Sequence, residues 1–172
     1  CLRSNDIVNL TSPSQVKAWC IGNGFHPNKT LGQNFLIDRN ILDAVIGVAD
    51  VRAGQKVLEI GSGLGVLTEA LLSRGASVTA VEKDARLASR LADALGQPPG
   101  LRVLEADALE LDSDELLSQG FDMCVSNLPY SAGTRILLEL ALHPRAPQTF
   151  VVLAQTEVAE RFAAPPGIKG RG

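Results

Sequence analysis

The sequence predicts an α/β fold, a doubly wound and mainly parallel sheet of five strands preceded by N-terminal helices. Short apolar runs alternate with amphipathic stretches from residue 55 onward, which is typical of successive βαβ units. The apolar runs are nearly continuous, as expected for strands that are covered on both faces. A glycine-rich segment follows the first run, where such sheets place a loop against a ligand.

Each element is predicted from a short pattern. The strands are KVLEIG (56–61), SVTAVE (77–82), LRVLEAD (101–107), FDMCVS (121–126) and TFVVLAQ (149–155). The helices among them are LTEALLSRG, DARLASRLADALG and GTRILLELAL, whose apolar residues recur at helical spacing. Asp84 is the predicted N-cap of the second helix. Two further helices are predicted ahead of the sheet, at SPSQVKAWCI (12–21) and DRNILDAVIGVAD (38–50). We therefore expect an N-terminal helical segment (1–50) and a sheet-containing core (51–172).

The composition is that of a soluble globular protein. The chain has 172 residues, of which 45% are hydrophobic and 20% are charged. Because it contains no apolar run of about 18 residues and no signal-peptide pattern, we expect no membrane association and a cytoplasmic location. Three cysteines without a C-x-x-C pair and two isolated histidines indicate no disulfide framework and no metal site. The net charge of −3 argues weakly against a nucleic-acid partner, although a groove can differ from the whole chain.

The segment EIGSGLG (59–65) is the first candidate binding site. Glycines after a strand let the backbone approach a ligand closely, and the following helix presents its N-terminus. The spacing of Gly61, Gly63 and Gly65 is not the G-x-G-x-x-G of dinucleotide-binding folds. A ligand without pyrophosphate, such as S-adenosylmethionine, is therefore favoured, and a simple tight turn is the alternative.

Two carboxylates follow the next two strands. Glu82 lies about twenty residues beyond the glycines, where a carboxylate can accept hydrogen bonds from both hydroxyls of a ribose. Asp107 can accept from the exocyclic amine of an adenine, while the N–H of Ala108 meets a ring nitrogen. The alternatives are a solvated acid at a helix start for Glu82 and a helix N-cap for Asp107. Together with the glycines, these strand ends predict a nucleoside bound across the carboxyl edge of the sheet.

The segment NLPY (127–130) follows the fourth predicted strand at the same edge. The side-chain carbonyl of Asn127 and a main-chain carbonyl can together accept both hydrogens of an exocyclic amine, and Tyr130 can stack on the base. Pro129 fixes the turn and leaves a neighbouring carbonyl without a ladder partner. Taken alone, the motif also fits an ordinary turn. Beside S-adenosylmethionine it predicts methyl transfer to an aromatic amine through positioning and electrostatics, without a strong base.

These motifs resemble the ribosomal RNA adenine N6,N6-dimethyltransferase family. The resemblance rests on LGQNFLID (31–38), EIGSGLG, VEKD, EADAL and NLPY in this order, and it extends from Lys29 to Arg161. It implies a Rossmann-like enzyme that uses S-adenosylmethionine to dimethylate adjacent adenosines near the end of small-subunit ribosomal RNA. The implied partner is that RNA in the pre-ribosomal small subunit.

The resemblance also implies roles for individual residues. GQNFL is implied to be a lid over the methionine part of the cofactor, and Lys83 is implied to place its stem near the adenine. The implied cofactor-binding residues are Gln33, Asn34, Leu36, Gly61, Gly63, Glu82, Lys83, Asp107, Ala108 and Asn127. The implied target-site residues are Asn127, Leu128, Pro129 and Tyr130.

Members of this family continue into further strands, a second aromatic segment and a helical C-terminal domain, none of which is found in this sequence. We therefore expect a cofactor-binding catalytic core with an unpaired sheet edge, which favours association. One alternative is an S-adenosylmethionine enzyme acting on a DNA adenine or a small amine. Another is a cofactor- or RNA-binding module without activity. A nicotinamide-dependent Rossmann enzyme is disfavoured by the glycine spacing and by NLPY.

Overall fold

The computed structural model of the protein describes residue 36, residues 38–128 and 132–154, and positions 14, 18, 156, 159 and 160. The helices of the two long stretches are α1 (Arg39–Ala49), α2 (Val66–Ser73), α3 (Ala85–Ala94), α4 (Ser113–Leu117) and α5 (Gly133–Ala141). The strands are β1 (Lys56–Ile60), β2 (Ser77–Glu82), β3 (Leu101–Glu105), β4 (Met123–Asn127) and β5 (Thr149–Leu153).

The sheet confirms the predicted fold class. Its strand order is β3-β2-β1-β4-β5, and every neighbouring pair is parallel. All five predicted strands are present, but β3 and β5 end earlier than predicted, at Glu105 and Leu153. The helix α4 was not predicted. The predicted helix at 12–21 lies outside the described residues except for Ser14 and Ala18, which are helical.

Helices cover both faces of the sheet, which is why its strands send apolar residues to both faces. One core contains buried residues of α1, α2 and α3 together with Val57 of β1 and Val125 of β4. The other core contains Leu58 of β1 with buried residues of α4 and α5. Alternate residues of each strand therefore enter opposite cores. Because α1 belongs to the first core, it packs on the sheet, and the predicted division near residue 50 stays a prediction.

Acidic N-caps begin several of the helices. The carboxylate of Asp38 accepts the amide of Asn40 at 2.8 Å at the start of α1. The carboxylate of Asp84 accepts the amide of Arg86 at 3.0 Å at the start of α3, which confirms the predicted cap. Each cap satisfies a helix N–H that has no partner within the helix.

The sheet opens between β1 and β4 at their carboxyl ends. The two strands pair at Val57–Met123 and Leu58–Cys124. Further along, the amide of Ile60 donates to the side-chain hydroxyl of Ser126 at 2.9 Å. The strand order changes direction at this place, so the opening lies at the topological switch point, where open α/β sheets bind ligands.

The helices of the described part include none that is both long and apolar enough to cross a membrane. Within that part, β3 and β5 are the edge strands of the sheet. Association through such an edge stays a prediction.

Candidate functional site

The loop between β1 and α2 is shaped by three glycines. Gly61, Gly63 and Gly65 have φ values of 77°, 56° and 88°, in the left-handed region that favours glycine. Gly65 is the N-cap of α2 and has no side chain to cap the helix. A Cβ atom at Gly65 would lie 2.5 Å from Cδ1 of Leu91 in α3, so the loop also needs glycine for close packing.

A cleft lies between this glycine loop and the carboxyl end of β4. Its lining residues are Leu36, Glu59, Gly61, Ser62, Gly63, Leu64, Val66, Leu67 and Asn127. The cleft thus joins Leu36 of the predicted lid, the two glycines implied to bind the cofactor (Gly61 and Gly63) and the first residue of NLPY. These residues come from distant parts of the sequence, and the switch point brings them together.

Glu82 holds the glycine loop from the end of β2. Its carboxylate accepts the amide of Gly63 at 2.8 Å and the amide of Asp84 at 2.9 Å. Glu82 is only 7% exposed, and this burial raises the pKa of its carboxyl, while the two amide hydrogen bonds oppose the rise. The side chain is therefore not a solvated acid, and it is linked to the cleft through Gly63.

Asp107 and Lys83 form an ion pair between the ends of β3 and β2. The same Asp107 carboxylate accepts the amide of Leu109 at 3.0 Å, which closes a turn through Ala108 rather than a helix. Hydrogen bonding between the two side chains lowers the pKa of Asp107 and raises that of Lys83. An ionised Asp107 is an acceptor, as adenine recognition requires. The sequence did not predict this ion pair.

Asn127 and Leu128 lie on different sides of the sheet end. Asn127 is half-buried at the end of β4 and lines the cleft, and its strand position pairs with Leu153 of β5. The side chain of Leu128 is buried in the second core, where a Cβ added to Gly133 of α5 would lie 3.0 Å from its Cβ. Leu128 therefore packs the turn against α5. Pro129, Tyr130, Gln33 and Asn34 lie outside the described residues.

Glu59 is the first of two cleft residues that the sequence did not single out. It is only 1% exposed, and its carboxylate accepts the hydroxyl of Thr68 in α2 at 2.7 Å. Burial raises the pKa of Glu59 to about 8, with the nearby Glu82 adding to the rise and the Thr68 hydrogen bond opposing it. The sequence feature that could have pointed to Glu59 is an acidic residue inside the mainly apolar run KVLEI.

Ser62 is the second such residue. It is 6% exposed, and its side-chain hydroxyl has no hydrogen-bond partner among the described residues. Buried hydroxyls in proteins are usually hydrogen-bonded. A lone Ser between two glycines gave no signal in the sequence, because small polar residues are common in turns.

A family model for ribosomal RNA adenine dimethylases matches residues 24–172. Among curated proteins, the chain is 40% identical over 169 residues to ribosomal RNA small subunit methyltransferase A of Geobacillus kaustophilus, covering 95% of this chain and 58% of that protein. It is 44% identical over 164 residues to the protein of the same name from Deinococcus radiodurans, covering 94% of this chain and 54% of that protein. The chain thus spans little more than half the length of these relatives.

Solved structures agree with the sequence relatives. A dimethyladenosine transferase from Plasmodium falciparum superposes with a TM-score of 0.64 at 31% identity, covering 74% of this chain and 46% of that one. The 23S rRNA methyltransferase ErmE superposes with a TM-score of 0.62 at 31% identity, covering 74% of this chain and 50% of that one. With the family match over residues 24–172, these similarities show that the chain belongs to the ribosomal RNA adenine dimethylase family.

Proposed function

We propose that this chain is the cofactor-binding catalytic core of an enzyme that dimethylates the N6 amines of adjacent adenosines in small-subunit ribosomal RNA. The observation that carries the proposal is that Asn127 and the glycine loop line one cleft at the switch point of the sheet. Family membership and the names of the curated relatives support the reaction and the RNA. Binding to the pre-ribosomal small subunit and a cytoplasmic location belong to the same proposal.

The residues at the cleft suit S-adenosylmethionine as the methyl donor. Both oxygens of Glu82 accept an amide, and each keeps a further lone pair for a ribose hydroxyl. Ser62 offers a buried hydroxyl that has no partner among the described residues. Glu59 is the titratable group among the described lining residues, and an acid suits a positively charged ligand.

The proposed division of work follows the strand ends. The glycine loop and Glu82 hold the ribose side of the cofactor, and Asp107 with the amide of Ala108 holds the adenine. The hydrogen bond with Lys83 lowers the pKa of Asp107 and so favours the ionised form, which accepts from an exocyclic amine. The predicted lid residues Gln33 and Asn34 remain part of the proposal. When bound, the cofactor supplies an electrophilic methyl group.

Asn127 is proposed to position the target amine. The lone pair of an adenine N6 amine is delocalised into the ring, so the nitrogen is a poor nucleophile. Acceptors that hold both of its hydrogens favour a pyramidal nitrogen and direct the lone pair toward the methyl group. No strong base is needed before attack, because the N–H becomes acidic once the methyl has been transferred. Leu128, whose side chain packs against α5, is proposed to contribute its main chain, and Pro129 and Tyr130 complete the proposed target site.

Methyl transfer from radiolabelled S-adenosylmethionine to undermethylated small ribosomal subunits tests the proposal. We expect transfer to adenosine N6. We expect Asn127→Ala to lower kcat about a hundredfold or more, which is typical when one positioned hydrogen-bonding group is removed from an active site. Asn40→Ala is the matched control, because Asn40 is exposed on α1. Labelling of DNA or small amines alone, or cofactor binding without any transfer, would contradict the proposal and favour the corresponding alternative.

A further inference from the structure

The cleft contains a buried acid, Glu59, that has no positively charged partner among the described residues. Glu59 lies on β1 between the sheet and α2, is 1% exposed and lines the cleft beside Gly61 and Asn127. Its carboxyl group accepts a hydrogen bond from the hydroxyl of Thr68, which is itself fully buried. A carboxylate buried in this way is costly unless a cation compensates it.

No element packed around Glu59 supplies that cation among the described residues. Glu82 on β2 is acidic, and Cys124 on β4 is a buried thiol whose own pKa is raised to about 12, mainly by burial and in part by Glu59. On α2 the facing residue is the neutral Thr68, and Glu69 is exposed. The buried residues of α1 are apolar. Glu59 therefore keeps its proton near neutral pH in the free protein, and its raised pKa of about 8 agrees with this.

We propose that Glu59 is a proton-exchanging group of the cofactor site: it is a neutral acid in the free protein and releases its proton when a cationic cofactor enters the cleft. The carboxyl O–H bond breaks, the electron pair stays on the carboxylate oxygen, and the proton passes to water and then to buffer. A positive ligand charge near a buried carboxyl favours its ionised form. This inference rests on the proposed function, because S-adenosylmethionine is the cation.

Proton release has a definite pH signature. Below the pKa of Glu59 in the free protein, ligand binding must also remove a proton, so the affinity for S-adenosylmethionine should rise with pH. Above a pH of about 8 the free protein has already lost the proton, and the affinity should become independent of this group. A plot of the affinity for S-adenosylmethionine against pH should therefore rise between pH 6 and roughly 8 and then level off.

Calorimetric titration with S-adenosylmethionine in two buffers of different ionisation enthalpy tests the inference at pH 7. We expect the whole 172-residue chain to release a substantial fraction of one proton per bound ligand. Glu59→Gln should bind the ligand more weakly and should release none. Glu69→Gln is the matched control, because it makes the same Glu-to-Gln replacement at an exposed position on α2. It should behave as the unaltered chain.

The outcomes separate this inference from the function on which it rests. Binding without proton release by the unaltered chain overturns the inference alone, and so does unchanged release by Glu59→Gln. An absence of binding heat at every pH, in a chain shown to be folded by circular dichroism, overturns the cofactor proposal and the inference together. If Glu59→Gln does not fold, carbon NMR of labelled glutamate carboxyls in the unaltered chain tests the inference instead. The buried carboxyl signal must shift to its ionised position when ligand is added at pH 7.

Discussion

The carboxylate of Glu82 accepts the main-chain N–H of Gly63 at 2.8 Å, although the two residues are separated by α2 and most of β2. This hydrogen bond fixes the glycine loop to the end of the neighbouring strand. The second oxygen accepts the amide of Asp84, the N-cap of α3. One buried side chain thus links the glycine loop to the start of the next helix.

Replacing Glu82 by Gln should loosen the glycine loop. The amide side chain has a single acceptor oxygen, so it cannot hold the amides of Gly63 and Asp84 as the carboxylate does. We expect at least one of these amides to exchange with solvent ten times faster or more, since hydrogen bonds to charged groups contribute about 1.5–3 kcal/mol. Hydrogen exchange followed by NMR is the measurement. Glu105→Gln, at the exposed register partner on β3, should leave both rates unchanged.

Gly65 and Gly54 give a matched pair of glycine substitutions. Both have positive φ, 88° and 85°, but a Cβ at Gly65 meets the buried Leu91, whereas a Cβ at Gly54 meets no atom of the described residues within 4 Å. We expect Gly54→Ala to lower the free energy of unfolding by about 1–2 kcal/mol, the cost of the backbone conformation. Gly65→Ala should cost about 2–4 kcal/mol, because overpacking is added. Urea unfolding measures both, and equal losses would contradict the close packing at Gly65.

The buried Glu59 should make stability fall as the pH rises. Its folded pKa of about 8 lies above the unfolded value of 4.5, so the folded chain binds the proton more tightly. Between these two values the unfolded chain has lost the proton and the folded chain has kept it. Stability should therefore decline there by up to about 1.4 kcal/mol per pH unit and level off above the folded pKa.

Glu59→Gln should remove this decline, because the neutral amide keeps an acceptor for the Thr68 hydroxyl and carries no titrating proton. The free energy of unfolding, measured with urea from pH 5 to 9, should fall less steeply with pH in the variant than in the unaltered chain. Parallel curves for the two chains would show that Glu59 is not the titrating group. Glu69→Gln again serves as the control, because it makes the same replacement at an exposed position.

Lys83→Met should raise the pKa of Asp107 and should lower the free energy of unfolding only a little. The Lys83 side chain is 57% exposed, and exposed ion pairs stabilise proteins little. Because the ion pair lowers the pKa of Asp107, its removal should raise that pKa, which carboxyl NMR can follow. Any loss of stability should be present at neutral pH and vanish in acid, where Asp107 is protonated in both chains. An unchanged Asp107 pKa would contradict the ion pair.

Much of the fold could be predicted because its signals are local. Helix α3 shows this: Asp84 caps its start, and Leu87 and Leu91 lie one turn apart on its buried face. The placement of Glu82, Asp107 and Asn127 at one edge followed from the fold class, since the carboxyl ends of parallel strands share an edge. The short helix α4 was not predicted because its five residues include too few apolar side chains to show a helical periodicity.

Other contacts could not be predicted, because they depend on how strands align. The hydrogen bond from Ile60 to Ser126 joins residues 66 positions apart, and it exists only because β1 and β4 separate there. The Lys83–Asp107 ion pair likewise depends on the register of β2 with β3. The hydrogen bond of Glu59 with Thr68 spans a loop whose course the glycine conformations determine. Patterns along the sequence carry no information about such distances.

Titration of the chain with S-adenosylmethionine, with Glu82→Ala as the comparison, tests the cofactor site most directly. We expect saturable binding to the unaltered chain and a loss of tenfold or more in affinity for the variant, which lacks both the ribose acceptor and the tie to Gly63. Glu105→Ala, at the exposed position beside it, should bind normally. Equal affinity for Glu82→Ala, or no binding to the folded unaltered chain, would contradict a nucleoside site at this edge of the sheet.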